Sequence, residues 1–320
     1  MMESVFLEKD GMRAKILSRG ASLASLHLDG HNSSLVLELA DFAADNQHFG
    51  AIAGPVAGRI RGGSCVIAGQ RHHFERNENG RTTLHSGVGG LGRQYWHIAN
   101  RAEDFAELVL DQPDGMLGFP GNRRFTCRYQ LCEGRVLRLE LGAVSDAESL
   151  CNLAFHPYFC LDDGPDFRDH HLQILAEDYL PVDTDNLPTG EVWPVAGTVL
   201  DYRQSRSLAD IAAGQAAPVD SPFCVAREKR TCQPVARLHS ARSGISMELL
   251  SDQPGLQFYT GTHIPAGLRG AAGRQLGPFA GLCLEPQGWP DAPNRPDFPS
   301  VRLAPDQPYY QLSELRFSLG

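Results

Sequence analysis

The feature of the sequence that most restricts its fold is a strict alternation of apolar and polar residues. Every second residue of segment 125–131 is apolar, and the alternation resumes at Leu137, Leu139 and Leu141 after a Glu133-Gly134 turn. A period of two places successive side chains on opposite faces of a strand. The segment therefore predicts a β-hairpin with one buried face.

Two further hairpins follow from the same pattern. One is predicted over residues 66–74, and the other runs over 245–249, turns at 252–255 and returns over 256–259. Short helices are predicted at 39–43 and at 208–213. Strands therefore dominate the expected secondary structure.

The chain is also punctuated by 33 glycines and 21 prolines, which suits many strands joined by loops. Its 320 residues and 42% hydrophobic content are ample for a buried core. No repeat, low-complexity linker or shift in composition divides it. We therefore predict an all-β fold, a large β-sandwich or barrel, in a single domain over residues 1–320.

The charge of the chain restricts its partners. The formal net charge is −9, whereas nucleic-acid binding calls for a basic stripe and anionic lipid for basic clusters. The N-terminus lacks the basic and apolar regions of a signal peptide, and no apolar run approaches about 18 residues. We expect a cytoplasmic protein with no nucleic-acid or membrane partner, and the sequence leaves its oligomeric state open.

Eight cysteines raise the question of disulfides or zinc. No pair has C-x-x-C spacing, and several lie in apolar runs where cysteine acts as a small hydrophobe. The adjacent histidines at 72–73 and 170–171 would point to opposite faces of a strand, which does not suit a metal clamp. We therefore expect free thiols and no metal site.

His156 lies in an apolar, aromatic-rich segment directly before Pro157. A residue before proline favours extended backbone, so this histidine is expected at a strand end. One interpretation is a core histidine bonded to a backbone carbonyl, because buried polar groups usually have a partner. The other is a partly desolvated imidazole that transfers protons near neutral pH.

Glu285 ends the apolar run 281–284 and is followed by Pro286. A carboxylate in such a run is costly unless it is paired or functional. It is either a structural ion-pair partner or a base whose pKa is raised by desolvation. His85 poses a similar choice, because it lies in the glycine-rich loop 82–92 and is either solvated or held close to a ligand.

Taken together, these segments resemble the aldose 1-epimerase (galactose mutarotase) family. The similarity is a series in the family's order that covers most of the chain, and its pieces are Gly54-Pro55-Val56-Ala57-Gly58-Arg59-Ile60, Leu84-His85-Ser86-Gly87 with Trp96, residues 152–161, Pro188-Thr189-Gly190-Glu191 with 194–198 and Asp201, residues 253–261, and Leu284-Glu285, Gln287, Pro290-Asp291-Ala292 and Asn294 followed by Phe298-Pro299.

The resemblance implies a β-sandwich of the galactose mutarotase type that interconverts the α and β anomers of a free aldose. The family's general base falls on Glu285 and its general acid on His156, and its sugar-binding positions fall on Arg59, His85, Asp220 and Gln257. No metal and no organic cofactor is implied. Ring opening removes a proton from the C1 hydroxyl and delivers one to the ring oxygen, so we expect base and acid on opposite sides of the sugar.

The sequence departs from the family at four positions near these motifs. Gly58 stands where asparagine is frequent, Phe155 where a polar residue is frequent, Ser221 where histidine is frequent and Pro286 where threonine is frequent. Because the base and the acid are both present, the reaction is retained. The identity of the aldose, galactose included, is left open.

Three other functions compete with this one. A non-catalytic sugar-binding or sensor protein could share the fold, but it would have no need of both Glu285 and His156. An epimerase of a phosphorylated sugar would need several arginines in the cleft, and Arg59 is the one the motifs place there. A retaining glycosidase would need two carboxylates flanking one bond, whereas the motifs supply a carboxylate and a histidine.

Overall fold

The regular structure of the protein is almost entirely β-strand in its computed structural model, which describes residues 2–45 and 47–320. The strands of the N-terminal half are β1 (Ser4–Lys9), β2 (Met12–Leu17), β3 (Ser22–Leu28), β4 (Ala51–Ala53), β5 (Arg59–Ile60), β6 (Ser64–Ile67), β7 (Gln70–His73), β8 (Thr83–Leu84), β9 (His97–Arg101), β10 (Phe105–Gln112), β11 (Arg123–Cys132), β12 (Val136–Ser145), β13 (Ser149–Leu150) and β14 (Ala154–His156).

The C-terminal half continues in the same style. Its strands are β15 (His170–Ile174), β16 (Asp178–Tyr179), β17 (Trp193–Pro194), β18 (Arg206–Ser207), β19 (Asp220–Cys224), β20 (Gln233–Ser240), β21 (Ile245–Ser251), β22 (Gly255–Tyr259), β23 (Leu268–Arg269), β24 (Gln275–Leu276), β25 (Cys283–Gln287), β26 (Arg302–Leu303) and β27 (Tyr309–Leu319). One α-helix, α1 (Ala209–Ala212), and short 3₁₀ turns complete the described chain, the turns being Phe42–Ala44, Arg61–Gly63, Leu91–Arg93, Met116–Gly118, Ala271–Gly273 and Ala292–Asn294.

The hairpin predicted from the alternating segment is confirmed as β11 and β12. Cys132 pairs with Val136 beside the turn, and the register runs back to Arg123 opposite Ser145. Buried and more exposed positions alternate along β11, as the period of two requires. The hairpin predicted over 66–74 is also confirmed, as the pair β6 and β7.

The third predicted hairpin is wrong. Strand β21 pairs with β20 and with β27, whereas β22 pairs with β19 and β25 in another sheet. Both edges of β21 are therefore already occupied, and β22 cannot return along it. The carbonyl of Pro254 in the connecting turn instead accepts hydrogen bonds from the backbone N–H groups of Val225 and Ala226. The chain thus crosses between sheets at the point where a hairpin was expected.

Two sheets form the main layers of the sandwich. The larger has nine strands in the order β18-β15-β20-β21-β27-β12-β11-β10-β9, and the second has five in the order β17-β16-β19-β22-β25. Phe125 and Met247 from the larger sheet share one hydrophobic cluster with Phe223, Phe258 and Leu284 from the smaller one. The all-β prediction is confirmed, and the core fixes the orientation of β22 and β25, which line the site described below.

The helical predictions have mixed outcomes. The segment 208–213 contains α1 as expected. At 39–43 the structure has a 3₁₀ turn at Phe42–Ala44, while Leu39 forms a β-bridge with Gly270. Among the described residues, no helix has the length and apolar character needed to cross a membrane. The single domain over 1–320 stays a prediction, supported by a core cluster that includes both Val5 and Phe317.

The eight cysteines are all free, and six of them are buried. The other two, Cys132 and Cys232, are half-buried. Burial raises the pKa of the Cys132 thiol and raises that of Cys232 to about 11. Even these two thiols are therefore expected to react slowly at neutral pH.

Thiol titration tests this arrangement. The denatured protein should give eight reactive thiols with no reductant present, and the native protein should give at most two that react slowly. Elemental analysis should find no stoichiometric zinc. A titre below eight that rises on reduction would reveal a disulfide, and one zinc per chain would contradict the expectation of no metal site.

Candidate active site

One pocket, with a volume of about 460 Å³, collects the six residues that the sequence singled out. They are Arg59, His85, His156, Asp220, Gln257 and Glu285. They come from six different strands or strand ends, and no two of them are adjacent in the chain. Their roles in binding and catalysis stay predictions, but their convergence on one cavity is a property of the fold.

One wall of the pocket is formed by neighbouring strands of the five-stranded sheet. Gln257 on β22 lies directly opposite Glu285 on β25. Asp220 on β19 accepts a hydrogen bond at Oδ1 from Gln257 Nε2 at 2.6 Å. Leu284 lies in the hydrophobic core. Because neighbouring side chains on a strand point to opposite faces, Glu285 points away from the core and toward the pocket.

His156 reaches the same wall from β14, which pairs with β4. The ring of Phe155 packs against Tyr129 of β11 at a centroid distance of 5.9 Å, and this anchors the opposite face of β14 on the large sheet. His156 therefore points the other way. Its Nε2 lies 3.4 Å from Glu285 Oε1, and the residues are 6% and 2% exposed.

This contact corrects the expectation that base and acid lie on opposite sides of the sugar. No sugar ring fits between two side chains whose reactive atoms are 3.4 Å apart. They are side by side because β14 and β25 run next to each other. The arrangement still suits ring opening, since the C1 hydroxyl oxygen and the ring oxygen are bonded to the same carbon and can be reached from one edge.

Burial also controls the protonation of this pair. It raises the pKa of the Glu285 carboxyl well above its usual value, and the negative charge of Asp220 adds to the effect while Arg59 opposes it. Burial lowers the pKa of His156 to about 4. Both directions favour the uncharged forms, so we expect the pair to hold one proton, on the carboxyl of Glu285.

His85 follows β8 with a left-handed backbone conformation, φ 50°. Its Nδ1 accepts a hydrogen bond from the backbone N–H of Gly58 at 3.3 Å. The ring proton is therefore on Nε2 in the neutral imidazole. Burial lowers the pKa of His85 well below its usual value, so this side chain offers the pocket an uncharged hydrogen-bond donor.

A glycine explains how this loop folds so tightly. A Cβ atom at Gly90 would lie 2.3 Å from the carbonyl oxygen of His85. Only a residue without a side chain tolerates this approach. The glycine-rich loop thus serves to bring His85 into the cavity.

Arg59 is held by carboxylates on two sides. Its Nε and Nη2 donate to the two oxygens of Glu78, each at 2.8 Å, and its Nη1 lies 3.7 Å from Asp220 Oδ2. Burial would lower the pKa of Arg59, but the hydrogen bond to Glu78 and the charge of Asp220 outweigh it and raise that pKa. The guanidinium is therefore a fixed, charged group at the pocket wall.

Of the four departures from the family pattern, only Gly58 lines the pocket. Phe155 and Pro286 are buried away from it, on the opposite faces of the strands that carry His156 and Glu285. Ser221 follows Asp220 on β19 and so points to the other face of that strand. Of the four positions, Gly58 is therefore the one that could act on the substrate directly.

Several pocket residues escaped the sequence argument. His48, Glu78 and Gln287 also line the cavity. His48 and Glu78 lie in irregular segments with no hydrophobic period to mark them, whereas Gln287 belongs to the same motif as Glu285. The Gln287 side-chain oxygen is buried without a hydrogen-bond partner among the described residues, which is a sign of a ligand contact.

Two clusters have spacings that a metal ion could accept. His156, Cys283 and Glu285 form one, and Cys160, Asp162 and His170 form the other. In the second cluster each residue already accepts a hydrogen bond. Asp162 accepts from Ser240 Oγ at 2.6 Å, and His170 Nε2 accepts from the backbone N–H of Leu161 at 2.8 Å. Cys160 Sγ accepts from Arg274 Nη2 at 3.4 Å. A cationic donor at the sulfur disfavours a metal there. The absence of a metal site stays a prediction.

A larger depression of about 960 Å³ lies elsewhere on the surface. Its charged groups neutralise one another, since Arg203 forms ion pairs with Glu177 and Asp201. None of the six predicted residues lines it. The smaller pocket, which contains all six, is therefore the candidate active site.

The sequence of the chain is similar to those of known aldose 1-epimerases along most or all of its length. The family model described as aldose 1-epimerase matches residues 3–316. The human galactose mutarotase is 35% identical over all of this chain and 95% of its own length. The aldose 1-epimerase of Escherichia coli K12 is 31% identical over 96% of this chain and 92% of its own.

Solved structures agree with these sequence relatives. An aldose epimerase homologue from C. elegans superimposes with a TM-score of 0.91 at 27% identity and covers 99% of both chains. Galactose 1-epimerase from Lactobacillus acidophilus superimposes with a TM-score of 0.84 at 26% identity, over 100% of this chain and 99% of its own. By sequence along its whole length and by fold, the chain belongs to the aldose 1-epimerase family.

Proposed function

We propose that the protein interconverts the α and β anomers of a free aldose, with Glu285 as general base and His156 as general acid. The observation that carries this proposal is the 3.4 Å contact between Glu285 Oε1 and His156 Nε2 inside a pocket lined by polar groups. Two proton-transfer groups at one edge of a sugar ring can act on the C1 hydroxyl and on the ring oxygen in the same complex. The enzyme class is that of its family, an isomerase.

The proposed reaction needs only protons to move. Glu285 takes the proton of the C1 hydroxyl as the bond between C1 and the ring oxygen breaks, and His156 delivers a proton to that oxygen. The open-chain aldehyde rotates about C1–C2 and presents its other face. The two transfers then run in reverse, which restores both side chains and yields the other anomer.

The pair must hold one proton for this cycle. The raised pKa of Glu285 favours that carboxyl as the resting place of the proton, and the 3.4 Å contact provides the route by which it passes to His156 when a sugar binds. The proton count of the pair does not change in this step. In this proposal His85 donates from Nε2 to a sugar oxygen, and the fixed guanidinium of Arg59 binds hydroxyl groups.

The charges of the pocket disfavour the alternative of a phosphorylated sugar. The guanidinium of Arg59 is already bound by both oxygens of Glu78 and faces Asp220. Glu285 adds a third carboxyl group to the lining. An anionic substrate would meet the negative charges of Glu78 and Asp220 beside Arg59, whereas phosphate recognition calls for a cluster of arginines that are available to the ligand.

Substitution of the two central residues tests the mechanism. Glu285→Gln keeps shape and hydrogen bonding but cannot accept a proton, and His156→Asn keeps a polar group but cannot deliver one. Each should lower kcat for anomer exchange of glucose and galactose by at least about 10²-fold, with a smaller effect on KM. The double variant should be little worse than the poorer single one, because both transfers serve one transition state.

Anomer exchange measured by NMR gives these rates directly. The matched control is Glu248→Gln, which removes a surface carboxylate paired with Arg237 and should leave the kinetics at the wild-type level. If Glu285→Gln exchanges both sugars as fast as wild type while remaining folded, the proposed mechanism is wrong.

The pH dependence follows from the one-proton pair. As pH falls through the pKa of His156, which burial lowers to about 4, the pair takes up a second proton and no base remains. As pH rises through the elevated pKa of Glu285, the pair loses its only proton and no acid remains. We therefore expect kcat/KM to form a broad plateau across neutral pH, after subtraction of the uncatalysed rate. A steep loss of activity between pH 7 and 6 would contradict the lowered pKa of His156.

The charges of Asp220 and Arg59 should shift the alkaline limb of the kcat/KM profile in opposite directions. The charge of Asp220 raises the pKa of Glu285 and that of Arg59 lowers it. Asp220→Asn should therefore shift the alkaline limb to lower pH, and Arg59→Gln should shift it to higher pH. Both variants should also raise KM, since both residues line the pocket. Shifts of the same sign, or none, would show that Glu285 does not set this limb.

A further inference from the structure

His48 also lines the pocket, beside the two imidazoles that the proposed mechanism already uses. Its ring centroid lies 5.0 Å from that of His85 and 6.1 Å from that of His156. Its backbone is left-handed, with φ 59°. This conformation is costly for a residue with a large side chain and is often found where function requires it.

Hydrogen bonds to its neighbours hold the segment around His48 in one conformation. The carboxylate of Asp45 accepts hydrogen bonds from the backbone N–H groups of Gln47 at 2.7 Å and Phe49 at 2.9 Å. The hydroxyl of Tyr158 donates to the carbonyl of Gln47 at 3.1 Å, and Arg19 Nη2 donates to that of Asp45 at 3.0 Å. These contacts hold the unusual backbone of His48 in place.

Gly92 leaves room for the ring. A Cβ atom at this position would lie 2.6 Å from His48 Nδ1 and 3.4 Å from its Cε1. The Nδ1 edge of the imidazole therefore rests against the backbone of Gly92. Nδ1 is buried and has no hydrogen-bond partner among the residues that the structure describes.

The protonation of His48 follows from this packing. Burial lowers its pKa to about 3, and the neighbouring charge of protonated His156 acts in the same direction, so the ring is neutral at physiological pH. A neutral imidazole carries one proton. A buried N–H without a partner is rarer than a buried lone pair without one, so the proton belongs on Nε2 rather than on Nδ1.

We propose that His48 is a specificity-determining residue, which donates a hydrogen bond from Nε2 to one hydroxyl group of the bound aldose. The inference rests on the proposed function, because it names a contact made to the same sugar in the same pocket. A neutral donor at this position selects for a hydroxyl oxygen without changing the proton count of the Glu285–His156 pair.

Three variants of His48 test which atom matters. His48→Phe keeps a ring but removes both nitrogens, and should lower kcat/KM for the preferred aldose about tenfold, the size expected for one lost hydrogen bond. His48→Gln places an amide nitrogen near the position of Nε2 and should recover most of the loss. His48→Asn places its amide near Nδ1 and should not.

A series of deoxy sugars identifies the contact. Wild type and His48→Phe are compared on glucose and galactose and on their 2-, 3-, 4- and 6-deoxy analogues. A specific hydrogen bond predicts that the loss caused by His48→Phe disappears for one analogue, the one that lacks the contacted hydroxyl. An equal loss for every sugar would overturn the proposal and assign His48 a structural role.

His171→Phe is the matched control. The Nδ1 of His171 is also buried without a partner among the described residues, but the side chain lies on β15 outside the pocket. Its kinetics should equal those of wild type for every sugar. If the unsubstituted protein exchanges anomers and His48→Phe does so equally well, the proposed role of His48 is refuted and the proposed function stands. If the unsubstituted protein shows no exchange, the proposed function itself is refuted.

Discussion

The site depends on placing a carboxyl group and an imidazole in contact where water has little access. On its own, each group would be destabilised in its charged form, because burial removes the water that solvates the charge. With reactive atoms 3.4 Å apart, Glu285 and His156 are expected to share one proton, so that neither has to carry a charge. The surrounding fold maintains this contact, because the faces of β14 and β25 that point away from the pocket are packed into the core through Phe155 and Leu284.

A second layer of charge surrounds this pair. Arg59 is held between Glu78 and Asp220, and Asp220 is in turn bonded to Gln257 on the strand next to Glu285. Asp220 and Arg59 act on the carboxyl of Glu285 with opposite signs. In the proposed reaction this network would serve two purposes, because it offers fixed polar groups to a sugar and also balances the electrostatic potential at Glu285. Binding and proton transfer are for this reason expected to respond together when either residue is changed.

The sequence predicted the parts of this structure that local patterns record. Alternation located β11 and β12, and the polar residues in apolar runs drew attention to His156 and Glu285. The alternation did not predict the pairing of β21 and β22, because a period of two shows which face of a strand is buried and not which strand is its neighbour. The expectation that base and acid lie on opposite sides of the sugar was wrong for another reason: their distance depends on the packing of strands that are far apart in the chain. His48 and Glu78 were missed because neither lies in a segment with a hydrophobic period.

The pocket combines two kinds of scaffold. Asp220, Gln257 and Glu285 project from adjacent strands in fixed register, whereas His48, His85 and Glu78 come from irregular connections between short strands. A sequence change in a connection alters one wall and leaves the other in place. Divergence within the family can therefore proceed by exchanging loop residues, with new sugar preferences arising on an unchanged proton-transfer machinery, and laboratory evolution of this enzyme would find its most productive positions in the same loops.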